Sequence, residues 1–220
     1  MLGHAQFIQA YELTRKSARR QAVRRSPEAD APPELSVAVG RYRRRRPQRK
    51  GIPLSDDAIA IDSAEFRKVL GHFPTGVTVV AAVADGKPAG LAVGSFFSVS
   101  LDPPLVGFCV GRSSSSWALI RDAGHFVVNV LGDSQDALSG RFSSKVEDKF
   151  EGLDWSPAVA TGGPRLAGCL AHIDCTLESI YDGGDHDIVV GRVQALGVDP
   201  SEDGPLLFFK GAYGKLAPLS

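Results

Sequence analysis

The chain has 220 residues, 43% of them apolar, which is enough to bury a core, and its 25 Lys and Arg balance 25 Asp and Glu. The balance hides an asymmetry: residues 1–51 carry 13 basic and 4 acidic side chains and the remainder carries 12 and 21, so the two parts are different polymers. Cys109, Cys169 and Cys175 form an odd set without CxxC spacing, no apolar run reaches the ~18–20 residues that span a bilayer, and the N-terminus lacks a secretory apolar segment; disulfide scaffolds, zinc sites and membrane spans are excluded, and a cytoplasmic protein is expected.

Residues 1–55 read as a basic extension. Arg, Pro and Ala dominate "RKSARR", "AVRRSPEADAPPE" and "RYRRRRPQRK", and apolar periodicity is weak. Such a composition does not offset its ordering entropy, so a disordered arm is expected. The run Arg41–Lys50 suits an anionic surface, yet it has no aromatic platform beyond Tyr42; no specific nucleic acid and no membrane partner is expected.

Residues 56–220 read as one folded domain. "DSAEFRKVLGHF" predicts a helix over 62–73, capped by Asp62 or Ser63, with Phe66, Val69, Leu70 and Phe73 on one face. "GVTVVAAVA" is β-branched and predicts a strand over 76–84. A turn over 85–90, opened by Asp85-Gly86, leads into a strand over 91–100. Further strands are expected over 105–111, 125–131, 169–182, 186–198 and 205–216. Short helices are expected over 113–124 and from Gly132 to Phe142, the latter capped by Asp133 or Ser134, with a helical turn in "VEDKFEG". About seven strands at this spacing predict an antiparallel barrel or sandwich rather than a parallel doubly wound sheet.

No Rossmann GxGxxG, Walker A or HExxH pattern occurs, and "GRSSSSWAL" does not read GxSxG. What "GRSSSSW" offers is four serines at a helix N-terminus, with Arg112 as an added cation: an anion site or a generous N-cap. "SGRFSSK" supplies Arg141, Ser143, Ser144 and Lys145 as a second phosphate-facing group or a solvated helix end. In "AGLAVGSFFSVS", Gly90 and Gly94 permit close approach of a flat ligand, or mark an ordinary half-buried strand. In "YDGGDHDIVVG", His186 sits among three acids. Strand alternation points Asp185 and Asp187 away from His186, which weakens a metal reading and leaves a turn histidine or a ligand contact; no metal is expected.

These segments carry a resemblance. "FRKVLGHFPTGVTVV", "AGLAVGSFFSVSLDPPLVGFCV", "FVVNVL", "GDHDIVVGRV" and "PLLFFKGAY", in this order over about residues 63–216, resemble the flavin reductase family, the reductase components of two-component flavin-dependent monooxygenases. The resemblance implies a mainly β fold, the FMN-binding split barrel (antiparallel and Greek-key-like, with short peripheral helices), assembled as a homodimer. It implies hydride transfer from NADH, or less readily NADPH, to FMN or FAD, and release of reduced flavin to a partner oxygenase. Matched position by position, the flavin would contact Pro88, Ala89, Gly90, Leu91, Ala92, Gly94, Ser95, Cys109, Val110, Gly111, Ser115, Ser116, Arg141 and Phe142. The nicotinamide nucleotide would contact His186, the one candidate catalytic side chain, together with Gly204, Pro205, Leu206 and Leu207. One departure stands out: many members have "ANSF" where this chain has "VGSF", so Gly94 supplies no amide to the flavin. The alternatives are a flavoprotein of this fold that uses a tightly bound flavin on another substrate, and a non-enzymatic flavin-binding module.

Overall fold

Residues 61–217 are described by the structure, a computed structural model. The expected basic extension and its boundary at residue 55 lie outside them. Helix α1 spans Ser63–Leu70, where the Asp62 carboxylate accepts from Glu65 N at 3.1 Å. It stops short of Phe73, and its apolar face lies open: Phe66 is 52% exposed, Val69 59% and Leu70 55%.

Strands β2 (Thr78–Ala84) and β3 (Lys87–Val93) form a hairpin. Asp85 and Gly86 both take positive φ, 50° and 76°, the two-residue geometry that matches strand twist. The turn is therefore shorter than the expected 85–90, and Pro88 to Gly90 belong to β3. Pro88 is tolerated because β3 ends the strand order and one of its sides needs no N–H donor. The expected strand over 91–100 is broken, and β4 starts only at Phe97 and runs to Leu101. Gly94 and Ser95 interrupt it; the Ser95 hydroxyl accepts from Cys109 N and donates to Cys109 O, both at 2.9 Å.

β5 (Pro104–Gly111), β6 (His125–Val130), β9 (Ala171–Gly183) and β10 (His186–Val198) complete an antiparallel seven-stranded sheet in the order β3-β2-β6-β9-β10-β5-β4. β3 and β4 occupy its two ends, yet only residues 94–96 join them, a reach of at most about 15 Å. The sheet must curl until its ends face each other, which gives an open-sided barrel. Val80, Phe108, Val110, Phe126, Val128 and Val189 fill it, with Trp117 and Ile120 of helix α2 (Ser115–Ala123) closing one end. Phe108 packs edge-on against Phe126 and Trp117 at 5.3 and 6.0 Å. Full burial of each such side chain stabilises the fold by about 1.5–3 kcal/mol.

The outer face of β2 is covered too, by Phe142, Phe150, Leu166 and Leu206 around Val79 and Ala81. Helix α3 spans Asp136–Ser143 without the expected side-chain cap. Asp133 N donates to Gly204 O, and the Ser134 hydroxyl bonds the Asp203 carboxylate. "VEDKFEG" forms no helical turn, because Asp148 Oδ1 accepts from Phe150 N and Glu151 N and bends the chain locally. The expected last strand over 205–216 is a hairpin, β11 (Leu206–Phe209) and β12 (Ala212–Lys215), paired with the short β1 (Thr75–Gly76). Positive φ at Lys210 and Gly211, 51° and 82°, makes its turn. A small hairpin of β7 (Trp155–Pro157) and β8 (Pro164–Leu166) has no counterpart in the sequence reading. No helix among the described residues is long and apolar enough to cross a membrane.

Candidate functional site

A cleft of about 770 Å³ runs between β3, the N-terminus of α2 and the strap that follows α3. Pro88, Ala89, Gly90, Leu91 and Ala92 form one wall. Gly90 is required there: a Cβ would lie 2.6 Å from Phe142 Cε1, so the Phe142 ring, itself buried, can press against bare backbone. Phe150 supports it edge-on at 5.1 Å.

The polar end of the cleft holds Ser113, Ser114, Ser115 and Ser116. Ser114 is the cap of α2 and accepts from Trp117 N at 3.2 Å, so the positive end of the helix, with Ser115 and Ser116 of its first turn, borders the cleft. Ser143, Ser144 and Lys145 line the opposite side, so the two groups of serines and basic residues singled out in the sequence share one cavity. Among the described residues, the side chains of Ser113, Ser115 and Lys145 find no hydrogen-bond partner.

Lys149, which the sequence reading passed over, also lines this cleft. Its ammonium donates to Phe142 O at 2.8 Å, to Gly90 O at 3.4 Å and to Ser116 Oγ at 3.5 Å. Burial pulls its pKa below the ordinary lysine value. In the sequence it is a Lys between Asp148 and Phe150 in an acidic segment, which is no signal by itself. Leu119, Val146, Glu147 and Phe150 complete the lining.

Several expected contacts lie elsewhere. Arg112 turns away from the serines and binds Asp187 and Asp182, at 2.8 and 3.1 Å, so it adds no cation to the anion site. Arg141 does not line the cleft; its Nη2 donates to Glu151 O at 2.6 Å and Asp148 O at 3.4 Å, which holds the strap. Val110 points into the barrel core. Gly94 borders a smaller cavity of about 170 Å³ with Thr75, Phe208 and Tyr213, which shares Ala92 and Ser143 with the main cleft. A Cβ on Gly94 would stand 3.0 Å from Thr75 Oγ1. Ser95 and Cys109 do not line the cleft and are engaged with each other through the Ser95 hydroxyl.

His186 begins β10 opposite Gly111, and its Nε2 would lie 3.9 Å from a Cβ placed there, at the edge of the cleft. Its Nδ1 is 2.7 Å from Asp185 Oδ1. Asp185 thus turns toward His186, contrary to the strand-alternation expectation, because it lies in the turn and is free of the pleat. The hydrogen bond from His186, and then its charge, hold the Asp185 carboxyl below the usual range. Among the described residues no three His, Cys, Asp or Glu side chains are grouped to hold a metal ion.

The second nicotinamide segment is held by partners other than His186. Gly204 O accepts from Asp133 N, Pro205 bridges Gly132, Leu207 pairs with Gly76, and the Leu206 side chain is buried in the outer core.

The flavin reductase like domain matches residues 70–217. The chain is 50% identical over 161 residues to the reductase subunit HsaB of a flavin-dependent monooxygenase from Rhodococcus jostii, covering 73% of this chain and 82% of that one. It is 53% identical to a flavin reductase from Pseudomonas putida, covering 73% and 94%. Nitrilotriacetate monooxygenase component B from Mycobacterium thermoresistibile superposes with TM-score 0.69 at 47% identity, covering 70% of this chain and 87% of that one. The NADH:FAD oxidoreductase SgcE6 from Streptomyces globisporus, solved with NAD and FAD fragments, superposes at 0.67 and 38% identity, covering 71% and 94%. With its curled seven-stranded sheet and its serine-lined cleft, this chain belongs to the flavin reductase family.

Proposed function

We propose that this protein reduces FMN or FAD with NADH and releases the reduced flavin to a separate oxygenase. The observation that carries the reading is the cleft itself: a flat, partly bare β3 wall ends at an anion-suited cluster of helix N–H groups, serines, Lys145 and Lys149. That arrangement fits a planar ring carrying a phosphorylated tail. Ser113–Ser116 and the two ammoniums would hold the phosphate; Pro88–Ala92 would lie along the ring, with Phe142 as a fixed prop. His186, at the rim by Gly111, would contact the nicotinamide nucleotide. A bound flavin supplies the hydride acceptor, so the protein needs to align two rings and exclude water rather than provide a base. The roles of Gly204, Pro205 and Leu207 rest on the resemblance alone, and Leu206 takes no part through its buried side chain.

The reading includes a homodimer and a cytoplasmic setting. The open apolar face of α1 supports the first, since large exposed apolar patches mark interfaces. Three free thiols support the second. Relatives named as reductase subunits of monooxygenases support the oxygenase partner.

The test is the loss of nicotinamide absorbance on adding the full chain with NADH and FMN, FAD or riboflavin, repeated with NADPH. Flavin-dependent oxidation, faster with NADH, is expected. No oxidation with any flavin would refute the reading.

A further inference from the structure

The start of β10, which carries His186, and the serine loop at the polar end of the cleft come from distant parts of the sequence, yet one carboxylate ties them together. Asp187 Oδ1 accepts from Arg112 Nε at 2.8 Å, and Asp187 Oδ2 accepts from Trp117 Nε1 at 3.0 Å. Arg112 also reaches Asp182 Oδ1 at 3.1 Å, and its backbone N–H donates to Asp185 O at 3.2 Å. The segment from Arg112 to Trp117 is thus fixed to the β9–β10 hairpin at four points. Both oxygens of Asp187 are engaged, its side chain is only 16% exposed, and Trp117 is 1% exposed.

Strand parity explains the placement. Asp187 shares the face of β10 that carries the core residue Val189, and its cross-strand partner Val110 is also in the core. An unpaired carboxylate at that position is costly, so its two donors are structurally necessary. His186, one residue earlier, has the opposite parity and lies beside Gly111 on the cleft side. Arg112 is immediately followed by the four serines. A shift of the Arg112–Asp187 pair would therefore move the phosphate-facing loop and the histidine relative to each other.

We propose that Asp187 is a positioning residue that sets the spacing between the flavin-phosphate loop and His186. The proposal rests on the flavin reductase reading for its ligands, but the brace itself is independent of that reading. The hydrogen bonds to a charged partner make it strong enough for its loss to be read in binding constants.

The experiment compares the full chain with Asp187→Asn and Asp187→Ala. Asn keeps an acceptor for Trp117 and gives up the ion pair; Ala gives up both. Amide hydrogen exchange is followed over residues 111–117 and 182–187 without ligands. Flavin dissociation constants and the KM for NADH are measured on the same preparations, with the melting midpoint as a control for folding. In Asp187→Ala, faster exchange in both segments is expected, with FMN affinity and NADH KM both worsened about tenfold or more and Asp187→Asn intermediate. Unchanged exchange at 111–117 in a folded Asp187→Ala protein would overturn the brace. Faster exchange with a lower melting midpoint but unchanged ligand constants would overturn the positioning role and leave Asp187 merely structural. An inactive parent chain would refute the flavin reductase reading instead, while the exchange measurement would still decide the brace. If Asp187→Ala fails to fold, Asp187→Asn alone decides, since it must show the same direction of change in both segments.

Discussion

Lys149 offers the sharpest test of the cleft as a phosphate site. Replacing it with Met keeps the length of the stem and removes the ammonium. In the free protein that ammonium donates to Phe142 O, Gly90 O and Ser116 Oγ, and these acceptors border the open cleft, where water can replace it. The lost hydrogen bonds cost about 1 kcal/mol, and relief of the partly buried charge offsets some of that, so a melting shift of no more than about 2–4 °C is expected. The pH dependence has a definite sign. Burial lowers the Lys149 pKa below 10.5, so between the folded value and 10.5 the unfolded chain holds more protons and stability rises with pH. That contribution disappears in Lys149→Met. Binding is different: one hydrogen bond to a charged group contributes about 1.5–3 kcal/mol, or roughly 10- to 150-fold in affinity. FMN binding, followed by quenching of flavin fluorescence, should weaken by this factor, while riboflavin, which lacks the phosphate, should be nearly unaffected. Equal losses for FMN and riboflavin, or none for either, would refute the assignment of this end of the cleft to phosphate.

Three further outcomes follow from the same geometry. Gly90→Ala places a methyl 2.6 Å from Phe142 Cε1, which requires the ring to move and costs about 1–3 kcal/mol; calorimetry should show a lower melting midpoint, and an unchanged one would show that the wall is soft. His186→Ala should raise the KM for NADH several-fold more than it weakens flavin binding, and steady-state kinetics with equal effects on both would contradict its assignment to the nucleotide. Burial pushes the thiols of Cys169 and Cys175 up to about 11 and about 12, so alkylation of the native protein at mildly alkaline pH should modify Cys109 alone; mass spectrometry that finds Cys169 or Cys175 labelled would show that the core opens.

Most strands were legible because their signal is local. β2, β5, β6, β9 and β10 are β-branched runs between turn residues, and Asp85-Gly86 names its own turn. The break at 94–96 was not legible, since it depends on Ser95 reaching the backbone of Cys109, fourteen residues away. Likewise the missing cap of α3 was not legible, since the Ser134 hydroxyl is taken by Asp203, sixty-nine residues away. At the site, serine clusters and Gly90 could be found from type and spacing. The direction of Arg112 could not, because local sequence shows a cation beside serines and only the fold brings Asp182 and Asp187 to it. Lys149 was missed for the same reason: its acceptors lie on β3, α2 and α3, and none is its neighbour in sequence.

The alternation of one strand then accounts for how the site is assembled. From His186 to Val190, β10 sends successive side chains to opposite faces, as the pleat requires. Asp187 and Val189 face the barrel, where a carboxylate must be paired, and the pairing recruits Arg112 and Trp117 from the loop and helix across the barrel mouth. His186 faces outward at the cleft rim beside Gly111, the last residue of β5 before that loop. A residue inserted between Val110 and Ser113, or between Gly184 and Val189, would break the match between inner brace and outer histidine without touching the cleft wall of β3. The brace and the placement of His186 are therefore consequences of the same register.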